Sequence, residues 1–306
     1  MGSKEKMNIL ISFDDTTWHY TRHAAVTILS LLETNKKHKI KIYVISSYLP
    51  QENIDELKRI VKLYKQEIEF IIEKNIVPKH LKNVIINQRS LTRGARYRYF
   101  FPKYIKNIDR ILYLDCDVLI MKDITNIYNM NMDWKSIAWY LDNWPFWERY
   151  RKNLELDHYI NSWVLLFDVK KYNMNKINVK KIKDINKKYS KYFWWCDQDK
   201  INVIFKDDFF ITDERFNYQV SNKWFNKWIR NASIIHCLQK PRKEYDNIPV
   251  NIKDIYIKYL NLTKWKWYPE EKANYWYLYH IHHLIHQFLF HLLRIIVWKT
   301  TLRYHH

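Results

Sequence analysis

At 306 residues, 47% hydrophobic and 17% aromatic, the chain can bury the core of one large or two small domains, which excludes a disordered polymer. A net charge of +20 points to an anionic partner (nucleic acid, an anionic membrane surface or a phosphorylated substrate), although joint enrichment in Lys, Ile, Asn and Tyr is also what an AT-rich genome writes. Having only Gly2 and Gly94 excludes a GxGxxG dinucleotide turn and a GxxxxGK phosphate loop, and three cysteines without pair spacing exclude a disulfide framework.

The start "MNILISF" has no long apolar signal segment, so Met7 reads as a native start in a reducing, cytoplasmic setting. The pattern predicts a strand over 7–13, a helix over 23–35, a strand over 40–47, a helix over 51–64 and a strand over 67–72. "RILYLDCDVLI" (110–120) reads as one further strand, followed by strands in 135–141, 162–169 and 231–238. Short apolar strands alternating with helices predict an α/β fold with a mostly parallel central sheet. The Lys- and Asn-rich stretch 170–192 reads as an amphipathic helix with a solvated basic face rather than a nucleic-acid patch. Two domains are expected: a main body over 7–248 and a helical, basic and aromatic tail over 249–306. The tail is too interrupted by polar residues to span a bilayer, and suits either an interfacial helix or packing on the main body.

Two acids interrupt the apolar run at Asp115 and Asp117, one residue apart. In a strand they would project to one side, with Cys116 opposite. Like charges held so close either cap a turn or helix, keep one member protonated, or share a hard divalent cation, Mn²⁺ or Mg²⁺, whose remaining positions take phosphate oxygens. That is a glycine-free way to hold a diphosphate.

Seven segments in order carry a resemblance: "FDD" (13–15), "RYRYFFP" (96–102), "ILYLDCDVLI" (111–120), "INSWVLLFDVKKY" (160–172), "CDQDKIN" (196–202), "RFNY" (215–218) and "IIHCLQKP" (234–241). Together they resemble glycosyltransferase family 8, in particular the bacterial lipopolysaccharide galactosyl- and glucosyltransferases. The resemblance implies a Rossmann-like GT-A fold and a retaining, metal-dependent transfer of galactose or glucose from UDP-galactose or UDP-glucose. It also implies an α-linkage to a glycan or glycolipid acceptor, such as lipopolysaccharide core or lipooligosaccharide. Asp115 and Asp117 then correspond to the family's DxD and His236 to a third metal ligand. Asp14 and Thr16 would contact uracil and ribose, and Arg98 the nucleotide sugar. Asn161 and Asp142 would touch the donor sugar, Asp197 would hold sugar hydroxyls, Gln198 would lie near the anomeric carbon, and Lys240 would reach the diphosphate. Gln198 as a poor nucleophile favours front-face attack, with Asp197 as covalent nucleophile the rival mechanism.

Two departures stand out. Trp163 occupies the glycine position of an "NSGV" segment, and Gln239 that of a glycine after the metal histidine. A catalytically impaired GT-A fold that only binds is therefore an alternative, as is a nucleic-acid-binding protein, though no nucleic-acid motif is present. Each residue also has a structural alternative: His236 as a core histidine, Asp197 and Asp199 as helix caps, and Arg98 as half of a surface ion pair.

Overall fold

A computed structural model describes residues 6–15, 20–77, 79, 93–142, 147–193, 196–220, 230–237 and 252–267. Thr16, Gln239 and Lys240 lie outside the described residues, as do 268–306 of the expected tail. The chain divides into two units, 1–264 and 265–306.

Among the described residues, the first unit is built on a seven-stranded sheet. Its strands are β1 (Met7–Ser12), β2 (Ile40–Ser46), β3 (Glu67–Ile72), β4 (Arg110–Leu114), β6 (Ile137–Trp139), β7 (Val164–Asp168) and β8 (Phe209–Ile211), in the order β3-β2-β1-β4-β7-β6-β8. Strands β3, β2, β1 and β4 run parallel, whereas β7 runs antiparallel to both β4 and β6. The composition explains the order. "MNILIS" is apolar throughout and wholly buried in mid-sheet, while "EIEFII" carries glutamates and lies half-exposed on the edge. Because β2 and β4 leave β1 on opposite sides, a topological switch point falls between the carboxyl ends of β1 and β4, the usual seat of a ligand in such sheets.

Helix α1 (Thr21–Thr34) is buried over Thr21–Leu32 and carries a polar row that has work to do. Thr27 Oγ1 lies 2.9 Å from the Cys116 carbonyl and 2.8 Å from that of Val118, and Ser30 Oγ accepts from the Ile120 amide at 3.0 Å. Helix α2 (Gln51–Leu63) buries Ile54, Leu57, Ile60 and Val61, a helical stripe, with Glu52 in its first turn and Lys62 in its last, as the helix dipole favours.

The stretch "RILYLDCDVLI" is not one strand. β4 stops at Leu114, Cys116 and Asp117 form a turn, and β5 (Val118–Ile120) enters a second, three-stranded sheet, β5-β10-β9. There β10 (Ile234–Cys237) pairs antiparallel with β5 and parallel with β9 (Tyr218–Val220). Two half-buried acids one residue apart, at the end of an apolar run, break the ladder instead of continuing it. The short strands β5, β8 and β9 have three residues each, too few for periodicity to announce them.

Short helices α3 (Thr125–Tyr128) and α4 (Trp147–Asn153) precede the basic helix expected over 170–192, which is narrower than its composition suggests: α5 covers Val179–Tyr189. Asn178 caps it, accepting from the Lys181 amide at 2.9 Å, and Ile182, Ile185 and Tyr189 face the core. Helix α6 (Cys196–Ile204) contains Asp197 and Asp199 within its first turn instead of before it, so neither is its N-cap. Helix α7 (Ile252–Leu260) reaches α1 through a 2.8 Å hydrogen bond between Tyr256 Oη and His23 Nδ1. No helix among the described residues is long and apolar enough to cross a membrane.

Candidate active site

The site lies at the carboxyl ends of β1 and β4 and at the amino end of β7, which runs the other way. After β1 the chain carries two adjacent aspartates with different duties. Asp14 Oδ1 accepts from the Ser47 amide at 2.7 Å and Ser47 Oγ at 2.9 Å, and Oδ2 accepts from Tyr97 Oη at 2.9 Å. Its half-buried carboxylate is fixed at the switch point. Asp15 is fully buried and accepts from the Thr21 amide at 2.9 Å, the Tyr20 amide at 3.2 Å and Asn53 Nδ2 at 3.3 Å, so it secures the start of α1.

A 3₁₀ helix over Arg93–Tyr99 crosses this point closely enough that a Cβ on Gly94 would come within 2.5 Å of Phe13 Cα and 2.7 Å of the Asp14 amide nitrogen. That helix delivers Arg98, which is 1% exposed. Its Nη2 donates to Ser162 Oγ at 3.0 Å, its Nη1 lies 3.8 Å from Asp115 Oδ2, and its guanidinium sits over the rings of Tyr113 and Tyr99 at 4.9 and 5.1 Å. The surface ion pair imagined for Arg98 is therefore replaced by a buried bridge.

From Ser162 the network continues. Gln198 Oε1 accepts from the Ser162 amide at 3.0 Å and from Ser162 Oγ at 3.2 Å, while Gln198 Nε2 donates to Asp142 Oδ2 at 3.1 Å. Asn161 Nδ2 also donates to Asp142 Oδ2, at 3.3 Å, and Asn161 Oδ1 accepts from Asn217 Nδ2 at 2.9 Å. Asn161, Gln198 and Asn217 are all buried. The structure thus joins Arg98, Asp115, Asp142, Asn161 and Gln198 in one network, with Asp14 on the adjoining strand end. For Asp197 it describes the backbone position one residue before Gln198 and not the side chain.

At the Cys116–Asp117 turn, Cys116 points inward and is 1% exposed. Asp115 accepts from Tyr113 Oη at 3.2 Å and from the Cys116 amide at 3.1 Å, and its own amide donates to the Trp163 carbonyl at 3.0 Å. Burial and the charge of Asp117 push the Asp115 carboxyl up to about 6, against the pull of Arg98 and His236. Burial also opposes ionisation of Asp117, yet His236 and His23 hold its carboxyl below the usual carboxylate range.

His236 reaches Asp117 by register. It pairs opposite Val118 in the β10–β5 ladder, the residue that follows the turn, and its Nε2 lies 3.2 Å from Asp117 Oδ1. The two are not aligned as a hydrogen bond: Asp117 Oδ1 and His236 Nδ1 are both buried without a hydrogen-bond partner. An orphan carboxylate oxygen beside an imidazole nitrogen, with a second carboxylate two residues away, is a donor set that suits a divalent cation. Among the described residues no three such side chains are yet drawn together as a closed metal cage, since Asp115 is engaged by Arg98 and Tyr113.

Sequence reasoning assigned no role to Ser162, Asn217, Ser47 or Tyr97. Three of them carried a signal, because Ser162 adjoins Asn161, Tyr97 sits within "RYRYFFP" and Asn217 within "RFNY". Ser47 serves through a chain crossing that no local pattern encodes.

The sequence model described as Glycosyl transferase family 8 matches residues 8–245. "General stress protein A" of Bacillus subtilis is 25% identical over 283 residues, covering 87% of this chain and 96% of that protein. A lipopolysaccharide 1,2-glucosyltransferase of Escherichia coli is 22% identical over 296 residues, covering 89% of this chain and 83% of its own length. Among solved structures, a galactosyltransferase, LgtC, in complex with donor and acceptor sugar analogues superimposes with a TM-score of 0.68 at 20% identity, covering 88% of this chain and 99% of that one. The likeness extends to the GT-A fold.

Proposed function

The chain belongs to glycosyltransferase family 8, and from that premise we propose that it transfers galactose or glucose from a UDP-sugar to a glycan acceptor, with retention at the anomeric carbon. The acceptor we propose is a lipopolysaccharide-core or lipooligosaccharide chain, a reading supported by the similarity to a lipopolysaccharide glucosyltransferase.

One observation carries this reading. A buried network runs from Asp115 through Arg98 and Ser162 to Gln198, Asp142 and Asn161, at the switch point where Asp14 stands ready for the nucleoside. In a chain without a phosphate-binding glycine loop, charge must do what backbone amides do elsewhere. Asp115, Asp117 and His236 would hold Mn²⁺ or Mg²⁺, which would offset the negative charge that develops on the leaving diphosphate. Lys240 is proposed to add a cation there, and Thr16 to assist Asp14 at the nucleoside.

The reaction breaks the anomeric carbon–oxygen bond to UDP and forms one to an acceptor hydroxyl oxygen, whose proton leaves on a phosphate oxygen. Gln198 fits a fixed dipole beside the anomeric carbon. Its carbonyl is already held by two donors from Ser162 and its amide by Asp142, so it is oriented and not available to attack. That favours front-face transfer over a covalent intermediate, with Asp197 the only rival nucleophile proposed.

The test is a UDP-sugar panel that follows UDP release. UDP-galactose or UDP-glucose should be turned over with Mn²⁺, silenced by a chelator and silenced again by Asp117→Ala. Turnover of neither donor under any metal condition would overturn the proposal.

A further inference from the structure

Trp163 stands at the centre of the site and has no role in the reaction outlined above. Its carbonyl accepts from the Asp115 amide at 3.0 Å, and its own amide donates to Asn161 Oδ1 at 3.1 Å. Its indole meets the imidazole of His236 with ring centroids 3.8 Å apart and planes at 75°, one ring's edge against the other's face. One residue therefore touches the first acid of the turn, the donor-side asparagine and the histidine.

The state of His236 gives this contact a purpose. A histidine that serves a metal through Nε2 is normally aimed by a hydrogen bond from its other ring nitrogen to a carboxylate or carbonyl. Here Nδ1 is buried and has no hydrogen-bond partner, so no such bond sets the ring's angle. The backbone of β10 is fixed by pairing with β5 and β9, but pairing fixes Cα and leaves χ2 free. What limits the imidazole is packing, and the ring that packs on it is the Trp163 indole.

We propose that Trp163 is a positioning residue: its indole wall replaces the missing Nδ1 hydrogen bond and holds the His236 imidazole with Nε2 toward Asp117, ready for a divalent cation. The inference rests on the metal reading above. It assigns a use to the largest side chain at a position where bulk would otherwise only narrow the sugar site. Asp115 joins the same arrangement through the Trp163 carbonyl, a main-chain contact that survives side-chain substitution.

The test is Mn²⁺ affinity measured by the electron paramagnetic resonance signal of free Mn²⁺, in the full chain without donor sugar. Trp163→Ala should weaken binding roughly tenfold or more, the scale of losing a ligand-orienting contact. Trp163→Phe, which restores an aromatic wall, should recover most of the affinity. Thermal melts of each variant separate loss of metal from loss of fold. Equal affinity in Trp163→Ala and the parent, both folded, overturns the inference and leaves the metal reading standing. A parent chain that binds no Mn²⁺ overturns the metal reading itself. Equal weakening in the Phe and Ala variants also overturns the aromatic-wall argument.

Discussion

Replacing Gly94 by alanine tests whether the site's first strand end is held by a backbone-to-backbone contact. The glycine is not needed for its torsion angles, since no glycine in the described chain has a positive φ. It is needed for space: an added Cβ would lie 2.5 Å from Phe13 Cα, 2.7 Å from Phe13 C and 2.7 Å from Asp14 N, all backbone atoms that cannot swing aside. Relief requires the 3₁₀ helix and the end of β1 to part by roughly 1 Å, an overpacking strain worth about 1–3 kcal/mol. Alanine also restricts the unfolded chain, which returns about 0.4–1 kcal/mol. The net loss of about 1–2 kcal/mol should lower the melting temperature by roughly 2–5 °C. Because the parting moves both Asp14 and the helix that carries Arg98, UDP affinity by calorimetry should fall about tenfold or more, as small displacements of positioning groups do. A variant that melts within 1 °C of the parent, to about the precision of such scans, and binds UDP unchanged would refute the close-approach argument.

The two aspartates after β1 should separate cleanly. Asp14→Ala should abolish UDP binding at a cost of only about 1 kcal/mol, because its hydrogen bonds with Ser47 and Tyr97 are only partly buried and water can replace them, whereas Asp15→Ala, which strips a buried acceptor from Thr21 and Asn53, should cost about 2–3 kcal/mol in a urea melt. Asp208 tests pH linkage away from the site. Burial raises its carboxyl, but Lys176 and Ser136 overcome this and hold it below the usual range, with Ser136 donating through its amide at 2.8 Å and its hydroxyl at 2.7 Å. The stabilisation is complete above the unfolded carboxyl value of about 4 and is lost as pH falls through the lower folded value, so the stability gap between the parent and Asp208→Asn should be widest near pH 7 and close on acidification below about 4. For the basic, aromatic tail, proposed to hold an anionic membrane surface on the cytoplasmic side, truncation after Pro269 should release the protein from anionic liposomes while metal-dependent UDP-sugar hydrolysis persists. Unchanged liposome binding would remove the tail's proposed role.

Much of the fold was legible because its signals are local. The apolar runs of β1, β2 and β7 and the helical stripe of α2 are written in consecutive residues, and their ends fall within a residue or two of expectation. The reading of 110–120 as one strand failed because apolar content does not say which sheet a strand joins. The short strands β5, β8 and β9 are held by their neighbours, and with three residues apiece none carries a period of its own.

The same division applies to the site. Residue type and spacing were enough to nominate Asp115 and Asp117, because two carboxylates held so close call for a cation, whereas Asp14, Asn161, Gln198 and His236 were nominated through the resemblance of their segments to glycosyltransferase family 8. Sequence also determined that any diphosphate must be gripped without a glycine loop. Which groups meet was decided by tertiary structure alone. His236 stands beside Asp117 through an antiparallel register, 119 positions along the chain. Arg98 bridges Asp115 to Ser162 because a 3₁₀ helix can cross β1 only where a side chain is missing. Trp163, which as sequence was an intrusion of bulk, is in three dimensions the surface against which the histidine ring rests. Contacts between distant segments depend on sheet register and chain crossing, and these are fixed by the packing of the whole unit rather than by any stretch of neighbouring residues.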